Sequence, residues 1–273
     1  MPFARADGLT LHYRIDGGDG LPLLVLSNGL GTELSMWDPQ IPALARAFRV
    51  LRYDTRGHGS SLTTSRSFSI DDLGRDVLAL LDHAGVHRAH FCGLSMGGMI
   101  GMWLGIHAPD RLNSLVLAHT AARIGPPTMW NERIEIVNAT GMKAISDAAV
   151  ARWFTADFLA REPGIVGALK ASMERTAVEG YVSCCAAVRD TDLREAISRI
   201  ELPVLVINGA HDIATPPADG RFVAQRIAGA RSLTLEAAHL SNIELPHEFS
   251  EALLSFCRAN DAAIPASHEW TRG

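Results

Sequence analysis

No stretch of this 273-residue chain is apolar for long enough to cross a membrane as a helix. The opening residues, Met1-Pro2-Phe3-Ala4-Arg5-Ala6-Asp7-Gly8, lack the basic region and apolar stretch of a secretion signal, so a cytoplasmic location is expected. Cysteine is scarce. Cys92, Cys184, Cys185 and Cys257 fall in no metal-ligand spacing and build no disulfide framework. Positive charge is not in excess, and the net charge of -5 argues against general affinity for nucleic acid or an anionic membrane. Internal repeats and low-complexity tracts are also missing. What remains, 47% apolar and 20% charged residues, is ordinary for a soluble globular enzyme of one large domain, or a core with a modest insertion.

The order of patterns along the chain gives the class. Phe3 to Ala6 and Leu9 to Ile15 read as a hairpin around Asp7-Gly8, and Leu21 to Leu26 as a strand covered on both faces. A helix is expected near Pro39 to Phe48 and a strand at Val50 to Tyr53. Ser69 with Asp72 forms a capping signal, followed by apolar residues at helical spacing, Leu73, Val77, Leu80 and Leu81. A strand from Arg88 to Leu94, a helix from Met96 to His107 and a strand from Leu112 to Ala118 come next. Strand signals then stop between about Arg123 and Thr191, where breaks stand at Gly125-Pro126-Pro127, Gly141, Pro163-Gly164 and Gly180. Alternation resumes with helix Asp192 to Ile200, strand Val204 to Asn208, helix Ala218 to Ile227, strand Ser232 to Glu236 and helix Pro246 to Arg258. The expected fold is α/β: a mostly parallel doubly wound sheet, with residues 1–122 and 192–273 as core. Residues 123–191 read as a small helical cap inserted after the sixth strand.

Within this frame the segment Gly93-Leu94-Ser95-Met96-Gly97 is a G-x-S-x-G pentapeptide where a strand runs into a helix, the setting of a nucleophile elbow. The turn must strain Ser95, and Gly93 and Gly97 remove the side chains that would obstruct it. A serine hydroxyl needs a base, and the base needs an orienting acid. Asp212 and His239 stand on loops after the two following strands, in the order nucleophile, acid, base. Asp219 and Glu236 are rival acids, but Asp219 sits inside the next helix and Glu236 is expected still in its strand. His211 and His119 approach the same region, and His58, in Arg56-Gly57-His58-Gly59-Ser60, reads as structural. Two backbone N–H groups should face the oxyanion, one from Met96 and one from Leu30 in Ser27-Asn28-Gly29-Leu30-Gly31.

Several stretches carry a resemblance: Leu26-Ser27-Asn28 with Leu30-Gly31-Thr32, Tyr53-Asp54-Thr55-Arg56-Gly57-His58-Gly59-Ser60, Gly93 to Gly98, Thr120 to Gly125, Met129 to Ile134, Cys184 to Asp190 and Ala238 to Asn242. Through them the chain resembles the α/β-hydrolase superfamily over nearly its whole length. Within it, the chain is most similar to the 3-oxoadipate enol-lactonases of aromatic-compound catabolism. Many relatives carry His-Gly where Asn28-Gly29 stands here. The resemblance implies a small anionic lactone as substrate, hydrolysed through an acyl-enzyme with no metal or organic cofactor. It also implies a cationic partner for the substrate carboxylate. Arg133 and Trp130, three positions apart on an expected helix, are the candidates, with Arg123, Lys143 and Arg175 as rivals. A general carboxylesterase or cofactor-free perhydrolase shares these features, and a non-catalytic ligand receptor could keep the same fold. An aspartate nucleophile, as in dehalogenases, is excluded by serine at position 95.

Overall fold

The computed structural model describes residues 3–6, 9–62 and 67–261. The expected hairpin turn at Asp7-Gly8 and the tail from residue 262 lie outside the described residues. Eight strands form the sheet: β1 Phe3–Ala6, β2 Leu9–Asp16, β3 Leu23–Ser27, β4 Arg49–Tyr53, β5 Ala89–Leu94, β6 Leu112–Ala118, β7 Val204–Gly209 and β8 Arg231–Leu235. Their order across the sheet is β1-β2-β4-β3-β5-β6-β7-β8. Pairing is antiparallel at β1–β2 and β2–β4 and parallel from β4 to β8. Strands β3, β5 and β7 are buried at every position, as strands covered on both faces must be.

The topology fixes where a ligand can sit. From β3 the chain steps to β4 on one side, then returns to β5 on the other. That reversal opens a crevice outside the carboxyl ends of β3 and β5. Ser27 of β3 pairs with Gly93 of β5, so the loop after one strand and the turn after the other emerge side by side.

The core helices are α1 Ile41–Leu44, α2 Ile70–His83, α3 Met96–His107, α9 Pro217–Arg226, α10 Ser241–Glu244 and α11 Pro246–Ala259. Helix α2 starts with a complete capping box. The Ser69 hydroxyl accepts from the Asp72 N–H, and the Asp72 carboxylate accepts from the Ser69 N–H at 2.9 Å. Such a cap stabilises a helix by about 1 kcal/mol. Its apolar stripe of Ile70, Leu73, Val77, Leu80 and Leu81 is buried, and Gly74 admits the Trp103 ring of α3. Between β6 and β7 the chain is helical: α4 Pro127–Thr140, α5 Lys143–Trp153, α6 Ala156–Arg161, α7 Pro163–Glu174 and α8 Val178–Arg189. These five helices occupy the stretch that the sequence pattern leads one to expect as a helical insertion after the sixth strand.

Three sequence expectations need correction. The helix expected near Pro39 to Phe48 is a 3-10 turn over Leu34–Gln40 followed by the single turn of α1, because the run carries Pro39 and Pro42. The helix expected over Asp192 to Ile200 shrinks to a 3-10 turn at Ala196–Arg199. There the Leu193 N–H donates to the Ala122 carbonyl, and Asp192 accepts from the Arg194 N–H, which diverts the backbone from a helical ladder. Gly180, expected to break a helix, lies inside α8. A Cβ on Gly180 would meet the Gly57 Cα at 2.4 Å, so its missing side chain serves close packing of α8 on the core.

Candidate active site

Ser95 stands between β5 and α3 with φ 58° and ψ -115°. Among the described residues only Ser95 and His119 combine a side chain with positive φ. Such a conformation costs on the order of 1–3 kcal/mol and persists only where its surroundings enforce it. The enforcement is visible here. A Cβ on Gly93 would stand 2.0 Å from the Gly97 carbonyl oxygen, and one on Gly97 would stand 2.4 Å from that of Ser27. The Ser95 N–H donates to the Ala118 carbonyl at 2.9 Å, and the Gly97 N–H to the Asn28 carbonyl at 3.1 Å. The turn is thereby clamped to both neighbouring strands.

The loop after β3 is equally fixed. The Asn28 amide group donates to the Tyr53 carbonyl at 2.8 Å, and its side-chain oxygen accepts from the Trp37 indole at 2.9 Å. Gly29 lies against Ser95: a Cβ there would be 3.6 Å from the Ser95 Cβ. The Gly31 N–H donates to His58 Nε2 at 3.1 Å. His58 must therefore be neutral at that nitrogen, and burial holds its pKa down to about 4. Among the described residues, the N–H groups of Leu30 and Met96 donate to no protein acceptor. Met96 is the first residue of α3, where the helix leaves its amides unpaired and slightly positive.

Asp212 is buried on the loop after β7 and accepts five hydrogen bonds. Oδ1 takes the N–H groups of Ala214 at 2.8 Å and Thr215 at 3.0 Å. Oδ2 takes His239 Nδ1 at 2.8 Å, His119 Nδ1 at 3.1 Å and the Thr215 hydroxyl at 3.0 Å. Burial by itself would raise the Asp212 pKa. The adjacent His239 and the donors from both imidazoles outweigh it and hold the carboxyl well below the usual range. An ionised carboxylate only accepts, so each Nδ1 on it carries the proton. His239 Nε2 is then left with its lone pair free, the form a general base requires. Ser95 and His239 line the same cavity.

His119, Asp212 and His239 bring two imidazoles and a carboxylate close enough to be weighed as metal ligands. The donor pattern favours a hydrogen-bond network instead. Both Nδ1 atoms converge on one carboxylate oxygen as N–H donors, and His119 Nε2 is engaged by the Ser241 hydroxyl at 2.6 Å.

The cavity over Ser95 has a volume of about 120 Å³. That is well below the roughly 300–1,000 Å³ of sites for drug-sized ligands, so only a small molecule fits. Its walls come from Leu30, from α4 and α5, and from Tyr181 of α8. Arg133 and Trp130 of α4 both line it, with the Arg133 guanidinium 4.9 Å from the centre of the Trp130 ring. The Trp130 N–H, however, donates to the Ile124 carbonyl at 2.6 Å. That indole N–H is therefore engaged within the protein, and Trp130 offers its ring to the cavity.

Sequence reading missed Arg152 of α5, which lines the same cavity. Burial, with the Arg133 charge nearby, pushes the Arg152 guanidinium below its ordinary pKa. Among the described residues neither Arg133 nor Arg152 forms an ion pair with an acid, so two uncompensated cations face one small cavity. No single-helix pattern signals this, because the pair spans α4 and α5. The rivals fall away. Arg123 pairs with Asp192 at 3.5 Å, Arg175 with Glu33 at 3.9 Å, and Lys143 is exposed away from the cavity. His211 is also outside it, 3.3 Å from Glu236, which is exposed just beyond the end of β8 rather than within the strand.

Residues 22–246 match the family described as having the alpha/beta hydrolase fold. The chain is 44% identical to 3-oxoadipate enol-lactonase 2 of Acinetobacter baylyi, over 91% of this chain and 93% of that protein. It is 38% identical to 3-oxoadipate enol-lactonase 1 of the same organism, over 92% and 94%. The crystal structure of the enol-lactonase from Burkholderia xenovorans LB400 superposes with a TM-score of 0.93 at 47% identity, covering 94% of this chain and all of that one. The strained serine at the strand-to-helix turn, the matched sheet and these likenesses lead to one conclusion: the chain belongs to the α/β-hydrolase family, and it is a hydrolase.

Proposed function

We propose that this protein hydrolyses 3-oxoadipate enol-lactone to 3-oxoadipate, a step in the breakdown of aromatic compounds, with Ser95, His239 and Asp212 as catalytic triad. The observation that carries the substrate reading is the pair of unpaired arginines, Arg133 and Arg152, in a cavity of about 120 Å³ shared with Ser95. A neutral ester would leave both cations uncompensated in a half-buried site. A small lactone bearing a carboxylate satisfies them. The enol-lactonase relatives point to the same substrate.

In this reading Ser95 Oγ attacks the lactone carbonyl carbon while His239 Nε2 takes the hydroxyl proton. The Leu30 and Met96 amides stabilise the oxyanion, each contributing roughly 3–4 kcal/mol to the transition state. Collapse breaks the ring C–O bond, and the departing enolate oxygen takes the proton from His239. The leaving group stays tethered to the acyl-enzyme, so recyclisation competes with hydrolysis. Conversion of the enol to the ketone removes that internal nucleophile. Water activated by His239 then cleaves the acyl-enzyme and frees the diacid.

The test compares the enol-lactone with p-nitrophenyl acetate, which has no carboxylate. Arg133→Ala and Arg152→Ala should each raise KM for the lactone by roughly 10- to 100-fold, with little effect on the acetate ester. Equal effects on both substrates would remove the carboxylate clamp. Turnover of the acetate but not the lactone by the native protein would replace this reading with a general esterase.

A further inference from the structure

The acid of the proposed triad is shared by a second imidazole. His119 follows β6 directly, is fully buried, and holds φ at 47°, a conformation that disfavours a side chain of its size. Its N–H donates to the Ile207 carbonyl at 2.8 Å, which locks the backbone against β7. Room for the ring is left by Gly209, where a Cβ would stand 3.0 Å from His119 Cε1. The ring does not line the cavity, so it touches no substrate. Its two nitrogens are nonetheless both committed, Nδ1 to Asp212 Oδ2 and Nε2 to the Ser241 hydroxyl. Because Asp212 is an acceptor, Nδ1 carries the proton, and Nε2 must then accept from Ser241. Ser241, the first residue of α10, thereby fixes the tautomer that donates to Asp212.

We propose that His119 is a positioning residue that acts through Asp212, holding the carboxylate in place and drawing charge from the oxygen that also binds His239. The inference rests on the triad reading above. The charged and titratable groups that face His119 are Asp212, His239 and Glu244. Glu244 is spent on the N–H of Ala238 at 2.9 Å and on the Thr155 hydroxyl. Burial lowers the His119 pKa, which agrees with a neutral ring. Loss of the His119 donor from Oδ2 leaves more negative charge facing His239. Uncompensated negative charge on that oxygen favours a positively charged partner across the hydrogen bond, so the pH profile of Ser95 labelling responds to the loss of His119.

The test is the pH dependence of Ser95 phosphonylation by a fluorophosphonate, with intact-mass and peptide mapping of the adduct. In that reaction the serine oxygen bonds to phosphorus as fluoride leaves, and His239 takes the proton, so no particular natural substrate is assumed. Native protein is compared with His119→Ala and His119→Asn. Asparagine tolerates positive φ, and its Nδ2 occupies the place of the histidine Nδ1. His119→Ala should move the acid limb of the profile up by about half a pH unit or more. It should also slow labelling at neutral pH by roughly tenfold. His119→Asn should restore both. Should His119→Ala fail to fold, Ser241→Ala, which frees the tautomer while keeping the ring, should shift the limb in the same direction. An unmoved limb in these variants, or Asn behaving as Ala does, would overturn the role of His119 while leaving the nucleophile intact. Failure of the native protein to label at Ser95 at any pH would instead overturn the triad reading itself.

Discussion

At the scale of single residues, strain and neutrality are the two properties that the core enforces. Ser95 holds positive φ where Gly93 and Gly97 leave room for the turn, and His119 does so where Gly209 leaves room for its ring. His58 is kept neutral by burial, and its Nε2 accepts from Gly31 in the loop that carries the Leu30 amide. The latter has a measurable consequence. The folded chain protonates His58 only near pH 4, whereas an unfolded histidine does so near pH 6.5. Between those values the unfolded state binds more protons, so stability falls as pH falls from about 6.5 towards about 4, by up to roughly 3 kcal/mol from this group. Urea unfolding at pH 7 and pH 4.5 should show the native protein losing more stability than His58→Gln. Equal losses would mean that His58 is not held neutral by the fold. The sequence named Ser95, Asp212 and His239, and the structure brings these residues to one site, because each stands at a strand end whose place in the sheet is recoverable from strand order. It gave no sign of the shared carboxylate oxygen between His119 and His239, which depends on how two loops cross in space.

At the scale of elements, the docking of α8 on the core depends on two glycines. A Cβ on Gly57 or on Gly180 would each stand 2.4 Å from the opposite Cα, a distance that backbone cannot absorb without moving. Helix α8 also carries Tyr181 to the cavity wall, where a Cβ on Gly31 would approach the ring at 3.3 Å. Gly180→Ala should therefore push α8 outward. The expected result is a melting temperature lower by roughly 3–10 °C and a higher KM for the lactone. A variant that melts and binds like the native protein would show that α8 can dock without this contact. Sequence patterning recovered α2, α3 and α11 closely from local signals: a capping box and apolar stripe in α2, the G-x-S-x-G turn that opens α3, and Pro246 followed by one apolar face in α11. It misjudged Gly180 because a glycine needed for close approach looks the same in sequence as one that ends a helix. It misjudged Asp192 to Ile200 because the competing hydrogen bond, from Leu193 to Ala122, is made to a residue far back in the chain, before the helical stretch begins.

At the scale of the whole molecule, the sheet's reversal between β3 and β5 sets the site, and α4, α5, α7 and α8 wall it, with two cations among their side chains. The wall was legible only as a stretch without strands. Trp130 and Arg133 could be placed on one helix face from their spacing, but the convergence of Arg133 with Arg152 is a product of how α4 packs on α5. In the proposed reaction a clamped serine, a base oriented by Asp212 and two inward-facing amides open a small anionic lactone. The most direct measurement is the continuous ultraviolet assay of enol-lactone disappearance, run on native protein and on Ser95→Ala. Native protein should consume the lactone and release the diacid, and Ser95→Ala, folded to the same melting temperature, should be slower by at least about four orders of magnitude. Turnover of the lactone by Ser95→Ala at the native rate would contradict the account.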